Sequence, residues 1–287
     1  MVMPKRFRTL FISDVHLGAK NCQAERLLDF LDEHEAEMIY LVGDIIDGWR
    51  LKQSWHWPQA HNDVVQALLK RAQHGTRMIF LPGNHDEFVR DYLGHRLGGI
   101  DIVDQTLHVG ADGRRHLIIH GDQFDAVVTH ARWLCLLGDW AYRATQRINA
   151  RISTVRRMMG LSYWSFSAWA KLKVKKAVNF MSDFEITLAA EAKKQGAQGV
   201  VCGHIHNALI RDMHGVTYMN CGDWVESCTA LAEDNEGRFS IIAWKQRSGA
   251  DAQQTRNGPD GDASPPVRTR AETIEAALGA IRPQAAA

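Results

Sequence analysis

The sequence predicts an α/β fold whose chemistry lies along one edge of a sheet. Three observations carry this expectation. From Thr9 to Phe80, short apolar runs alternate with amphipathic stretches in β-α-β-α-β order. Each run ends abruptly in Asp, His, Asn or Gly, residue types that α/β enzymes place at the carboxyl ends of strands. After a long interruption of helical character, apolar runs return and close on the same residue types.

Taken in order, Thr9-Leu10-Phe11-Ile12-Ser13 is the first strand and closes on Asp14-Val15-His16. A helix is expected over Gln23–His34, then a strand over Met38–Val42 that closes on Gly43-Asp44-Ile45-Ile46-Asp47-Gly48. A second helix, Gln59–His74, leads to the strand Arg77–Phe80 and the turn Leu81-Pro82-Gly83-Asn84-His85-Asp86. Glu87–Leu93 reads as a helix start. Ile100–Val109 and Arg115–Ile119 read as two strands around Ala111-Asp112-Gly113, the second closing on His120-Gly121-Asp122. Strands return at Gly199–Cys202, Val216–Asn220 and Phe239–Ala243. Residues 1–246 are expected to form one domain with a helical insertion over about 125–195. Residues 247–287, rich in Gly, Pro, Gln and Arg, read as a flexible tail.

A net charge of +1 argues against a wholly basic nucleic-acid binder. The 5 cysteines show no paired framework and no CxxC, which points to a reducing, cytoplasmic compartment. The uncharged run Met158–Ala170 is too short to span a bilayer, and no apolar signal segment opens the sequence.

Collected together, the strand ends carry Asp14 and His16; Asp44 and Asp47; Asn84 and His85; His120; and His204 and His206 of Gly203-His204-Ile205-His206. A lone histidine after a strand is more often a hydrogen-bonded structural residue than a ligand, and Asp44 alone reads as a turn residue. Five strand ends in succession that all carry ligand types are not explained that way. Hard oxygen donors mixed with imidazole suit Mn, Fe or Zn better than Ca or Mg alone. The donors exceed the needs of one ion, so two divalent ions sharing a carboxylate are the economical reading. Such centres activate water and clamp phosphoryl groups.

These motifs resemble those of the calcineurin-like metallophosphoesterases: Asp-X-His, Gly-Asp-X-X-Asp, Gly-Asn-His-Asp, a later His, and Gly-His-X-His. The resemblance spans about residues 9–244 and implies a four-layer α/β/β/α sandwich. It implies Asp14, His16, Asp44 and His206 on one metal, and Asp44, Asn84, His120 and His204 on the other, with Asp44 bridging. His85 would act near the leaving group as acid or electrostatic stabiliser, oriented by Asp47. Asp122 either supports His120 or serves the turn.

From Ala126 to Phe180 there are ten Lys or Arg and a single acid, Asp139, among four tryptophans. Arg143, Arg147 and Arg151 share one helix face, and Lys171, Lys173, Lys175 and Lys176 form a second cluster. The segment reads as an ordinary solvated helical subdomain, as a nucleic-acid channel, or as a cap that handles lipid and touches anionic membrane. A helical insertion at this place, with Gly48-Trp49 after the second motif, resembles the UDP-2,3-diacylglucosamine hydrolase branch. Members of that branch split a nucleotide-linked glycolipid at its diphosphate, usually with Mn²⁺. They carry Arg where this chain has His85. The expected activity is therefore hydrolysis of a diphosphate or phosphodiester. A nuclease, a phosphomonoesterase and a non-catalytic scaffold are the alternatives.

Overall fold

The computed structural model describes residues 4–127, 181 and 183–244. The tail and the basic aromatic clusters of the expected insertion lie outside the described residues.

Strand β1 (Lys5–Ile12) shows how the layers arise. Side chains alternate across a strand, so its two faces meet different neighbours. Leu10 and Ile12 pack with Leu27, Phe30 and Leu31 of helix α1 (Ala24–Glu33). The same cluster includes Val64 and Leu68 of a later helix, Gln59–Gln73. Phe11 points the other way, toward Tyr40, Ile79, Ile118 and Val201 between two sheets.

The first sheet has seven strands. β1 pairs in parallel with β2 (His34–Val42), which pairs in parallel with β3 (Arg77–Leu81). Beyond β3 come β5 (Ile100–Ile102) and the edge strand β4 (Arg96–Leu97). The second sheet runs β6 (Gln105–Val109), β7 (Arg115–Ile119), β8 (Gly199–Cys202), β10 (Val216–Asn220), β9 (Leu209–Met213). On the far side of β1, β11 (Thr229–Glu233) and β12 (Phe239–Ala243) complete the first sheet. Between β2 and β3 lie the short helix α2 (Gly48–Gln53) and α3 (Gln59–Gln73). A helix over residues 183–194, α4, covers the second sheet with Phe184, Leu188 and Ala192 against Leu117, Val200 and Tyr218. The order of layers is α/β/β/α.

Three expectations change. Ile100–Val109 is not one strand. Its first part pairs in parallel with β3 and its second with β7, so the chain crosses from one sheet to the other at Val103-Asp104. Glu87–Tyr92 is a 3-10 helix, not an α-helix. Strands β9 and β11 were not expected; β11 reads Thr-Ala-Leu-Ala-Glu, with alanine and glutamate types that are depleted in strands.

Candidate metal centre

At the carboxyl edge the strands end but the backbone pairing continues. The amides of Asp14, His16 and Leu17 donate to the carbonyls of Gly43, Asp44 and Ile45 at 3.0, 2.9 and 2.8 Å. The Trp224 amide donates to the Asp14 carbonyl at 3.0 Å. This ladder holds the two ligand-bearing loops side by side. Asp14, His16, Asp44, His204 and His206 all have φ between 50° and 70°. Non-glycine residues pay for that conformation, and such strain persists where the surroundings enforce it, often at functional sites. Two glycines are needed for close approach rather than for turning. A Cβ on Gly83 would lie 2.4 Å from Asp44 Oδ1, and one on Gly203 would lie 2.4 Å from Asp14 Oδ2.

The side chains form two donor groups. Asp14, His16 and His206 bring ligand atoms within 4.8 Å of one another, and so do Asp44, His120 and His204. His16 Nε2 faces His206 Nε2 at 3.3 Å, and His206 Nε2 lies 3.0 Å from Asp14 Oδ1. Asp44 Oδ2 stands between the groups, 3.5 Å from His120 Nε2 and 3.9 Å from His16 Nε2. Several of these atoms are buried without a hydrogen-bond partner: Asp44 Oδ2, His120 Nε2, and both amide atoms of Asn84. Leaving such atoms unsatisfied is costly. A cation between them would satisfy the oxygens and imidazole nitrogens together, so the donor set fits divalent metal ions. His16, Asp47 and His85 form a third cluster beside the first two.

The supporting contacts are specific. His120 Nδ1 lies 2.8 Å from the Val42 carbonyl, an arrangement that puts the proton on Nδ1 and turns Nε2 toward Asp44. The His85 amide donates to Asp44 Oδ1 at 2.8 Å, and His85 Nδ1 lies 2.9 Å from Asp47 Oδ1. Asp122 raises His120 through its charge, while its oxygens bond elsewhere. It accepts from Arg90 at 2.8 Å, and Arg90 also donates to the Pro82 carbonyl at 3.1 Å, tying the Asn84 loop to the His120 loop.

Sequence reasoning missed three residues. Asp86 accepts from the amides of Gly83 and Ile45 at 2.6 and 2.7 Å and so staples the second and third loops together. Its signal was its place in the Gly-Asn-His-Asp motif. Asn220 donates to the Gly203 carbonyl at 2.7 Å and accepts from the Gly222 amide; a polar residue closing β10 was the same strand-end signal. His61 accepts from the Gly18 amide at 2.9 Å from the first turn of α3, where nothing in sequence marks it.

Charge follows this geometry. Burial pushes the Asp14 carboxyl up, but His206 and His120 outweigh it and hold it below the ordinary range. Asp44 is likewise held low against burial, chiefly by His120. Burial would keep His120 neutral, yet the Asp44 carboxylate raises it to about 10. Asp86 goes the other way, to about 6, through burial and then Asp44. Without metal, burial is thus outweighed at Asp14 and Asp44 in favour of the ionised carboxylate, and at His120 and His206 in favour of the protonated imidazole.

The chain belongs to the calcineurin-like phosphoesterase family, a class of metal-dependent hydrolases. The family's model matches residues 7–208, which contain every proposed ligand. Among its relatives, a UDP-2,3-diacylglucosamine hydrolase of Xanthomonas campestris is 27% identical over 80% of this chain and 96% of its own length. The enzyme of that name from Neisseria gonorrhoeae is 28% identical over 80% of this chain and 96% of its own. A solved archaeal phosphodiesterase is 14% identical, with a TM-score of 0.39 over 82% of this chain and 98% of that one. No helix among the described residues is long and apolar enough to cross a membrane.

Proposed function

We propose that this protein is a dinuclear hydrolase of a diphosphate or phosphodiester bond, acting on a nucleotide-linked glycolipid of the UDP-diacylglucosamine kind. The observation that carries the reading is Asp44 Oδ2, buried, without a hydrogen-bond partner and lying between two groups of ligand atoms. The names of the relatives support the substrate class. Asp14, His16, Asp44 and His206 would hold one ion, and Asp44, Asn84, His120 and His204 the other. Mn²⁺ fits this mixture of oxygen and imidazole donors, and Zn²⁺ or Fe would fit as well. Bound there, two divalent ions supply an acidified water and neutralise charge on the phosphoryl oxygens.

The chain's own residues do the rest. Asp47 fixes the Nδ1 side of His85, and in this reading Nε2 is the atom that serves the substrate. Nε2 lies 4.0 Å from Asp44 Oδ2, at the bridging position. From there it would hydrogen-bond the leaving oxygen, or give it a proton, as the phosphorus–oxygen bond breaks. The imidazole stands where the glycolipid branch carries Arg. It can therefore serve as a proton donor as well as a stabilising cation. The same reading includes a cytoplasmic location and contact of the 125–195 segment with an anionic membrane face.

A Mn²⁺-loaded panel tests this: UDP-diacylglucosamine, UDP-sugars without acyl chains, bis-p-nitrophenyl phosphate, p-nitrophenyl phosphate and single-stranded DNA. Turnover of the acylated nucleotide above the others is expected. Preference for DNA would make it a nuclease, and preference for the monoester a phosphomonoesterase. No turnover of any of these would overturn the enzymatic reading.

A further inference from the structure

We propose that Trp49 is a positioning residue for His85, and that the first turn of α2 is built around that imidazole. The inference rests on the role given to His85 above.

Three successive residues of α2 and its cap hold His85. Asp47 is the N-cap: its Oδ1 accepts from the Arg50 amide at 2.9 Å and also lies 2.9 Å from His85 Nδ1. One oxygen thus caps the helix and anchors the imidazole, so the two cannot move separately. The Gly48 amide donates to the His85 carbonyl at 2.9 Å. A Cβ on Gly48 would lie 2.9 Å from that carbonyl oxygen and 3.0 Å from the Phe88 ring, so a larger residue would push the helix off the loop. Trp49 then lays its ring over the imidazole, with centroids 4.3 Å apart and planes inclined by 37°. On another side His16 meets the imidazole edge-on at 4.6 Å.

The exposure of Trp49 supports this reading. A tryptophan placed for core burial would not be 39% exposed. Its indole Nε1 is 3.5 Å from Glu87 Oε1, in the turn that directly follows His85. The ring therefore spans the helix and the His85 loop. Asp47 holds the imidazole at Nδ1 while the indole lies against the ring, so the two contacts together restrict its rotation. Fixing a reacting group to within a fraction of an ångström is worth large factors in rate.

The test uses the full chain with Trp49→Leu, Trp49→Phe, His85→Ala and the Trp49→Leu/His85→Ala double variant. Two diesters differ in leaving group: bis-p-nitrophenyl phosphate, whose leaving group needs little help, and diphenyl phosphate, whose leaving group needs more. Trp49→Leu should lower kcat on diphenyl phosphate about 10- to 100-fold and on the nitrophenyl ester less, with KM and bound metal unchanged. Trp49→Phe, which keeps a flat ring, should retain most of the rate. The double variant should be no slower than His85→Ala alone. Additive losses, or equal losses on both esters, would overturn the proposal.

A readout independent of turnover is the NMR signal of the His85 ring in zinc-loaded, ¹³C-histidine-labelled protein, assigned by its disappearance in His85→Ala. Narrow, single-state signals are expected in the wild type and Trp49→Phe, and a mobile ring in Trp49→Leu. A ring as rigid in Trp49→Leu as in the wild type contradicts the positioning role. A mobilised ring in a protein that hydrolyses no diester, wild type included, would leave that role standing and remove the proposed function instead.

Discussion

Two buried clusters of carboxylate and imidazole lie along β1, and they are built in opposite ways. Toward its amino end, Glu233 is fully buried and its oxygens are satisfied. Oε1 accepts from Arg8 and the Ala111 amide, both at 2.8 Å, and Oε2 accepts from Thr9 Oγ1 at 2.7 Å and meets His108 Nε2 at 2.8 Å. Beyond the carboxyl end, Asp44 and Asn84 hold buried atoms with no hydrogen-bond partner, and neighbouring backbone is forced to positive φ. The first cluster pins the two sheets together and needs nothing more. The second keeps buried ligand-type atoms without hydrogen bonds and fits divalent ions. Similar residue types therefore mean different things according to whether their polar atoms are already paired.

Changing one member at each end should separate the roles. The largest effect is expected from His120→Ala, which removes a proposed ligand: hydrolysis should fall by at least about a thousandfold while the fold persists, checked by steady-state rates and circular dichroism. Next comes Glu233→Ala. Removing one partner of a buried ionic cluster costs about 3–5 kcal/mol, so urea unfolding should show a large loss of stability, with the rate per folded molecule and the bound metal unchanged. If Glu233→Ala instead abolished metal binding with little loss of stability, the contrast would break. Smaller again, Asp47→Asn should slow hydrolysis about 10- to 100-fold through His85, with both metals retained by elemental analysis.

The subtlest difference is in pH dependence. Glu233 is held at about 2 against an ordinary 4.5, despite burial, chiefly by His108 and Thr9. Its folded pKa is depressed, so its contribution is present above 4.5 and lost as pH falls through about 2. His120 is raised to about 10 from 6.5 in the protein without metal. Its contribution is therefore complete below 6.5 and lost as pH rises through about 10. Chelator-treated protein should thus lose stability on both limbs of a melting-temperature profile. Glu233→Gln should shrink the acid limb, to which Asp14 and Asp44 also contribute, and metal loading should remove the alkaline one. Since metal must displace the protons on His120 and His206, loading should also weaken as pH falls.

Much of this was legible in the sequence, for a physical reason. Parallel strands place their carboxyl ends together, so motifs separated by the whole chain, such as Asp14 and His206, can be assigned to one site without knowing the path between them. That logic gave the α/β order and the residues now found clustered. It could not give β11, whose Thr-Ala-Leu-Ala-Glu run is poor in strand-forming residue types. Nor could it split Ile100–Val109, where an unbroken run crosses between sheets at Val103-Asp104. Contacts that depend on the angle of approach were also hidden. Arg90 reaching Asp122, and His61 reaching the Gly18 amide, have no signature in spacing.

In the proposed function Asp44 joins two metal ions into one centre. Chelator-stripped full-length protein titrated with Mn²⁺ and followed by electron paramagnetic resonance tests it most directly. Two Mn²⁺ per chain with the exchange-coupled signal of a bridged pair is the predicted result, with the coupling lost and fewer than two ions held in Asp44→Asn. A single uncoupled Mn²⁺ in the wild type, or an unchanged coupled pair in Asp44→Asn, would contradict the account.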